Sequence, residues 1–197
     1  MLTSLIDRLK QLSEGIREIE IKLLGYLVRI PAVVLLSIDY IGPIRAAESA
    51  GEITPIDQYT HSRALVKAAG LDPTRYQSST QESSKHYISN MGSRALRYIV
   101  INTANDLMKH NEYFALFSKE LMRRGKSKGC ACVAVGNRFI RIAFWMIKDQ
   151  KPFLPPNGFG ISRDPFFKIK AFLQDRQVSE MIEEYSSYAK KYLGKKE

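Results

Sequence analysis

The stretch AVVLLSIDYIGPIRAAESAGEI, Ala32–Ile53, decides the reading of the fold. Its first half is almost wholly apolar, Ile41-Gly42-Pro43 interrupts it, and an Ala-rich run follows. This order predicts a short helix, a tight hairpin at Ile41-Gly42-Pro43 and a second short helix ended by Gly51, because Pro opens helices and Gly closes them. A helix-hairpin-helix pattern suits a phosphate. The amides around Gly42 and the N-terminus of the following helix face an anion without reading bases. A plain αα-hairpin that packs a core has the same pattern, so both readings stay open on these residues alone.

Upstream, Leu5, Leu9, Leu12, Ile16, Ile19, Leu23 and Tyr26 alternate spacings of four and three. That is a heptad seam with charges between its members. It predicts a helix over residues 1–30, weakened by about 1 kcal/mol at each of Gly15 and Gly25 and ended by Pro31. The helix either dimerises as a coiled coil or lies against its own domain.

Downstream, Ile56–Ala69 reads as an amphipathic helix stopped by Gly70 and Pro73. Leu71–Ser89 is a polar, serine-rich loop of a length that compact domains rarely carry without use, with a flexible linker as the alternative. Helices are expected from Gly92 to His110, with Leu96, Ile99, Val100, Thr103 and Leu107 on one face, from Glu112 to Met122, and from Lys128 to Lys148. A basic turn, RRGKSKG, joins the last two. KPFLPPNGFG, Lys151–Gly160, is too rich in Pro and Gly to be regular. A final helix is expected from Pro165 to Leu193. No alternation lasts long enough for a sheet. The expectation is an all-α fold: a coiled-coil helix at 1–30, a helical domain at 31–152 with the hairpin element at 32–53, and a linker with a C-terminal helix at 153–197.

The chain has 197 residues and a net charge of +10. Residues 1–60 carry six Lys/Arg against eight Asp/Glu, residues 61–151 sixteen against six, and residues 152–197 eight against six. The excess therefore lies in the middle, the footprint expected for a polyanion and most often for nucleic acid. The longest near-apolar stretch, Ile30–Ile38, is far short of the roughly 20 residues of a membrane span, so no membrane partner is expected. Asp7, Arg8 and Lys10 break up the start, so no signal peptide is read there. Cys130 and Cys132 are too few for a disulfide framework or a zinc site. They read as reduced thiols in a cytosolic protein, small and buried, on different faces of one helix.

No phosphate loop, metal motif or nucleotide fingerprint is present. His61, His86 and His110 are scattered. The acids of the basic region, Asp72, Glu82, Asp106, Glu112, Glu120 and Asp149, form no cluster for two-metal chemistry. What remains is the serine-rich loop flanked by Arg75, Arg94 and Arg97. A serine hydroxyl attacks phosphorus when arginines neutralise the phosphate and a base takes the proton; a merely hydrophilic loop is the plainer reading. Arg123, Arg124, Lys126 and Lys128 form the densest basic turn, and Arg138 and Arg141 share a helix face.

In order, SIDYIGPIRAAESAGEI, YTHSRALVKAAGLDPTRYQSS, ISNMGSRALRYIVINTA and RRGKSKGCACVAVGNRFIRIAFWMIKD follow the coiled-coil helix. This set resembles the C-terminal half of transposases of the IS-one-ten group of bacterial insertion sequences, over roughly residues 1–152. The resemblance implies a helical domain with a nucleophilic serine that becomes linked to DNA, preceded by a RuvC-like domain with four acidic metal ligands. It also implies DNA as partner, a structured guide RNA and a bacterial cytoplasmic, nucleoid-associated setting, while the heptad seam leads to the expectation of a homo-oligomer formed through the coiled coil. The family's Gln-Ser-Gly falls on Gln77-Ser78-Ser79, making Ser78 the catalytic candidate. Its Gly-x-x-x-Leu-Arg falls on Gly92, Leu96 and Arg97, with Arg94 alongside, and its Ile-Gly-Pro on Ile41-Gly42-Pro43. The DNA-binding candidates are Gly42, Arg75, Arg94, Arg97, Arg123, Arg124, Lys126 and Lys128. No cofactor or metal ligand is expected in this chain. The Mg²⁺ of the complete family enzyme, with its RuvC-like domain, is expected from elsewhere. Ser79 stands where the family has Gly, Asp39-Tyr40 where it has Pro-Gly, and His86, Tyr87, Asn90 and Met91 where it has basic residues.

Overall fold

The structure, a computed structural model, describes residues 2–73, 77–78, 81–82, 88–155 and 164–193, with the backbone alone for 2–3, 77–78 and 81–82. It is all-α apart from one two-residue antiparallel pair. The helices are α1 (Leu2–Leu27), α2 (Pro43–Ile53), α3 (Ser62–Ala68), α4 (Arg94–His110), α5 (Glu112–Arg123), α6 (Lys128–Asp149), α7 (Pro165–Asp175) and α8 (Ile182–Leu193). Short 3-10 helices lie at Pro31–Ser37, Ile56–Gln58 and Ser179–Met181, and strands β1 (Gln77–Ser78) and β2 (Gln81–Glu82) pair with each other.

The fold is organised around Pro31–Ser37. Every residue from Ala32 to Ser37 is fully buried. A 3-10 helix points side chains in three directions, so an all-apolar one needs cover on every side. That cover comes from α1, α2, α6, α7 and α8, each packed against it. The buried Ser37 hydroxyl is satisfied: Oγ donates to the Val34 carbonyl at 2.7 Å and accepts from the Phe153 amide at 2.7 Å. Ile169, Phe172, Leu173, Tyr185 and Ala189 of α7 and α8 belong to the same hydrophobic cluster as Leu24 and Leu35.

α6 is the central long helix. By length and composition it is apolar enough to cross a membrane, which the sequence reading missed, yet 56% of its apolar window is buried against other helices. Gly136 lets α4 approach closely: a Cβ there would sit 3.0 Å from Val100 Cγ1. Four helices start on side-chain caps of the expected type, with Ser93, Asn111, Ser127 and Asp164 accepting from the Leu96, Phe114, Cys130 and Phe166 amides.

Several boundaries differ from expectation. Helix α1 ends at Leu27, before Pro31. Gly51 does not stop α2, which continues to Ile53 and ends at Thr54 because Pro55 disfavours helical backbone in the preceding residue. Ile56–Ala69 is two short helices, separated by extended backbone at Tyr59 and His61. Pro165–Leu193 is likewise broken. Gln177 takes φ +58° and the Val178 amide reaches the Leu173 carbonyl, closing α7 with a left-handed cap that has no glycine to announce it. Cys130 is exposed rather than buried; only Cys132 is buried, and its burial raises the thiol pKa.

The N-terminal part of α1 stands out from the body. Leu5, Leu9, Leu12, Ile16 and Ile19, five members of the heptad seam, are each between 54% and 66% exposed.

Candidate nucleic-acid interface

The serine-rich segment leaves the body through a tight stem. Helix α3 closes with a left-handed Gly70, φ +64°: the Gly70 amide donates to Lys67 and the Leu71 amide to Val66. Residues 68–73 then run beside 88–93. The Ser93 amide donates to the Ala68 carbonyl at 2.7 Å, Asn90 to Gly70 at 3.1 Å and Ser89 to Asp72 at 2.8 Å, and Pro73 bridges Ile88. A Cβ on Gly92 would collide with the Ala68 carbonyl oxygen and come 2.6 Å from the Gly70 nitrogen, so only glycine fits at this crossing. The Ser89 hydroxyl donates to Asp72 Oδ1 at 2.6 Å.

Beyond the stem, the backbone of Gln77 pairs with Glu82 and that of Ser78 with Gln81. The expected loop thus contains an antiparallel pair too short to show as sequence alternation. The Ser78 side chain, Arg75, Ser79 and His86 lie outside the described residues. At the foot of the stem, half-buried Arg97 donates from Nη1 to the Ala69 carbonyl at 3.2 Å. Arg94 is exposed in the first turn of α4, where a cation opposes the helix dipole and an anion is welcome.

The hairpin is displaced from its expected position. The reverse turn is Ile38–Ile41, closed by the Ile41 amide on the Ile38 carbonyl at 3.1 Å, with Tyr40 at φ +64°. Gly42 is extended, φ −83°, and sits at the start of α2 with open space around its Cα. Lys168 of α7 donates to the Ile38 and Ile41 carbonyls at 2.6 and 2.9 Å. A cleft of about 610 Å³ separates the hairpin from α7, with Tyr40, Gly42, Phe167 and Arg176 among its walls. The docking of α7 here is a tertiary contact with no local sequence signal.

At the α5–α6 turn, Arg123 and Arg124 both bind Glu120, at 2.8 and 2.7 Å. The hydrogen bond from Arg123, then that from Arg124, holds the Glu120 carboxyl at about 2. Lys126 and Lys128 are exposed and have no carboxylate partner among the described residues. Spacing alone groups Arg138 with Arg141, but it gives no sign that the Arg138 guanidinium lies 3.8 Å over the Phe117 ring of α5.

Residues 32–119 match the family described as Transposase IS116/IS110/IS902. The match covers less than half of the chain. No curated protein matches the chain. The matched segment contains the hairpin, the stem, Ser78, Arg75, Arg94 and Arg97. The basic turn, α6, α7 and α8 lie beyond it. The domain's core nonetheless closes with those later elements, through the Ser37–Phe153 and Ile41–Lys168 hydrogen bonds.

The described residues do not fit the Mg²⁺ that the resemblance implies for a complete enzyme. Among them no three His, Cys, Asp or Glu side chains group to hold a metal ion. Asp72 is taken by Ser89, Asp106 by Arg45 and Glu120 by two arginines.

Proposed function

We propose that the chain binds DNA and performs the serine-linked strand transfer of a transposase, in company with a RuvC-like domain and a structured guide RNA. The observation that carries this reading is the family match over residues 32–119, which includes both the Ser78 segment and the arginines at its stem. In the step proposed, Ser78 Oγ attacks a DNA phosphorus and the bond from phosphorus to the departing sugar oxygen breaks. A serine–phosphate diester forms, and the serine proton passes to a carboxylate of the RuvC-like domain and from it to the departing oxygen, which leaves as a free hydroxyl. Arg94 and Arg97, with Arg75, neutralise the phosphate. Gly42 and the basic turn, Arg123, Arg124, Lys126 and Lys128, grip the backbone. The exposed seam of α1 supports a homo-oligomer, since an apolar stripe of that period is covered by another helix.

A second reading, a nucleic-acid-binding protein without catalysis, draws on the absence of an acidic cluster among the described residues. Covalent trapping on a nicked duplex, with the reconstituted enzyme, separates the two. Ser78→Ala is expected to bind DNA as before and to form no protein–DNA adduct. An adduct that survives Ser78→Ala and disappears with Ser79→Ala moves the nucleophile one residue on. Failure of the unmodified enzyme to form any adduct favours the binding protein.

A further inference from the structure

Arg138, Arg141, Trp145 and Lys148 recur at spacings of three, four and three on α6. They therefore form one face about 15 Å long. Arg141, Trp145 and Lys148 are exposed, Trp145 at 51%. Helix α5 adds aromatic rings beside the stripe. The Arg138 guanidinium stacks 3.8 Å over Phe117 and 5.3 Å from the Tyr113 ring centre, and Lys148 Nζ lies 5.6 Å from the Trp145 ring centre. Two adjoining pockets that share Tyr113 and Ile142 follow this face, one beside Arg138 and Arg141, the other beside Trp145. No carboxylate pairs with Arg138, Arg141 or Lys148 among the described residues; Asp149 is the one acid on the rim.

We propose that this face is a binding site for unpaired nucleic acid, with bases stacked on Trp145 and on the Arg138 plane and the backbone held by Arg141 and Lys148. Aromatic rings and stacked guanidiniums engage the faces of bases, which a duplex hides and a single strand offers. Cations alone would suit a duplex equally; it is the interleaved rings that select the single strand. The site is joined to the serine segment. Asn137, next to Arg138, donates from Nδ2 to the Leu71 carbonyl at 3.3 Å, where that segment leaves α3. A strand lying on the stripe thus runs toward the stem. This deepens the nucleic-acid reading above and rests on it.

Trp145 is the chain's single tryptophan, so its emission reports the site directly. Oligothymidylate of twelve nucleotides is titrated into the full chain at low salt while Trp145 fluorescence is read, and a labelled duplex of matching length is followed by anisotropy. Saturable quenching by the oligothymidylate and little by the duplex is expected. Arg138→Ala should weaken single-strand binding about tenfold, the scale of one lost stack. Arg141→Ala, an exposed change that leaves packing untouched, should weaken it several-fold while duplex affinity stays within about threefold, a change of under 1 kcal/mol. Duplex binding without quenching by the single strand overturns this site and leaves the general reading standing. Unchanged single-strand binding in Arg141→Ala also overturns it. If neither nucleic acid binds, both readings fall together.

Discussion

Arg97 reaches back across Gly70 to donate to the Ala69 carbonyl at 3.2 Å. Arg97 is therefore built into the foot of the serine-bearing stem. One of its donors is fixed by backbone, and this holds the plane of the guanidinium.

That arrangement separates Arg97 from Arg94. Arg97→Ala is expected to lower stability by about 1 kcal/mol through the lost hydrogen bond and to reduce the slope of log affinity against log salt on duplex DNA by about 0.9. Arg94→Ala, exposed and without a protein partner among the described residues, should reduce the slope alone. Urea melting and a salt series measure the two effects. If Arg97→Ala melts earlier with an unchanged slope, Arg97 is purely structural.

Tyr40 occupies a left-handed position, and its ring stacks on His110 with centroids 5.1 Å apart. Tyr40→Ala keeps the backbone cost and loses the stack, whereas Tyr40→Gly loses the stack and relieves the cost. The glycine variant should be more stable than the alanine variant by about 1 kcal/mol. Equal melting of the two would mean that the turn reorganises.

The exposed α1 seam gives a test of assembly. Leu9→Glu with Ile16→Glu is expected to convert an oligomer to monomer in sedimentation while shifting monomer stability by less than about 0.5 kcal/mol, as for other exposed positions. A chain that sediments as a monomer before mutation removes the oligomer from the proposal.

Glu120 restrains the basic turn. Its carboxyl, held at about 2, titrates below the usual carboxylate range. A lowered carboxylate pKa adds stability above its unfolded value, and that contribution is lost as pH falls through about 2. The clasp is therefore fully charged from pH 5 to 9, and DNA affinity should carry no Glu120 titration in that window. Glu120→Gln frees Arg123 and Arg124 and removes one negative charge, so duplex affinity at low salt should rise a few-fold and its salt dependence should steepen.

Much of this was legible in the residues, for reasons that particular positions make plain. Ser93, Asn111 and Ser127 are side-chain caps, and α4, α5 and α6 begin where those caps stand. The seam of α1 follows from its spacing alone. Local chemistry failed where an unusual residue adopted a glycine-like conformation. Tyr40 and Gln177 both have positive φ, and each displaced a boundary or hid a break. The spacing of Arg138 put it beside Arg141 but could not reveal Phe117 beneath it. At the candidate site, the sequence drew Arg97 and Gly92 to the serine segment by motif, while the stem that uses them is a set of backbone bonds between distant residues.

The buried 3-10 segment also bears on how the chain is made. Ser37 waits for Phe153, 116 residues later, and Ile38 for Lys168, 130 residues later. During vectorial synthesis the stretch Val33–Leu36 leaves the ribosome long before the helices that cover it exist. Sequence-distant closures of this kind slow folding and leave apolar surface open in the meantime. A nascent chain must therefore shelter this segment until its late helices form, and a gene cut at residue 119 would yield a product that keeps the segment without its cover.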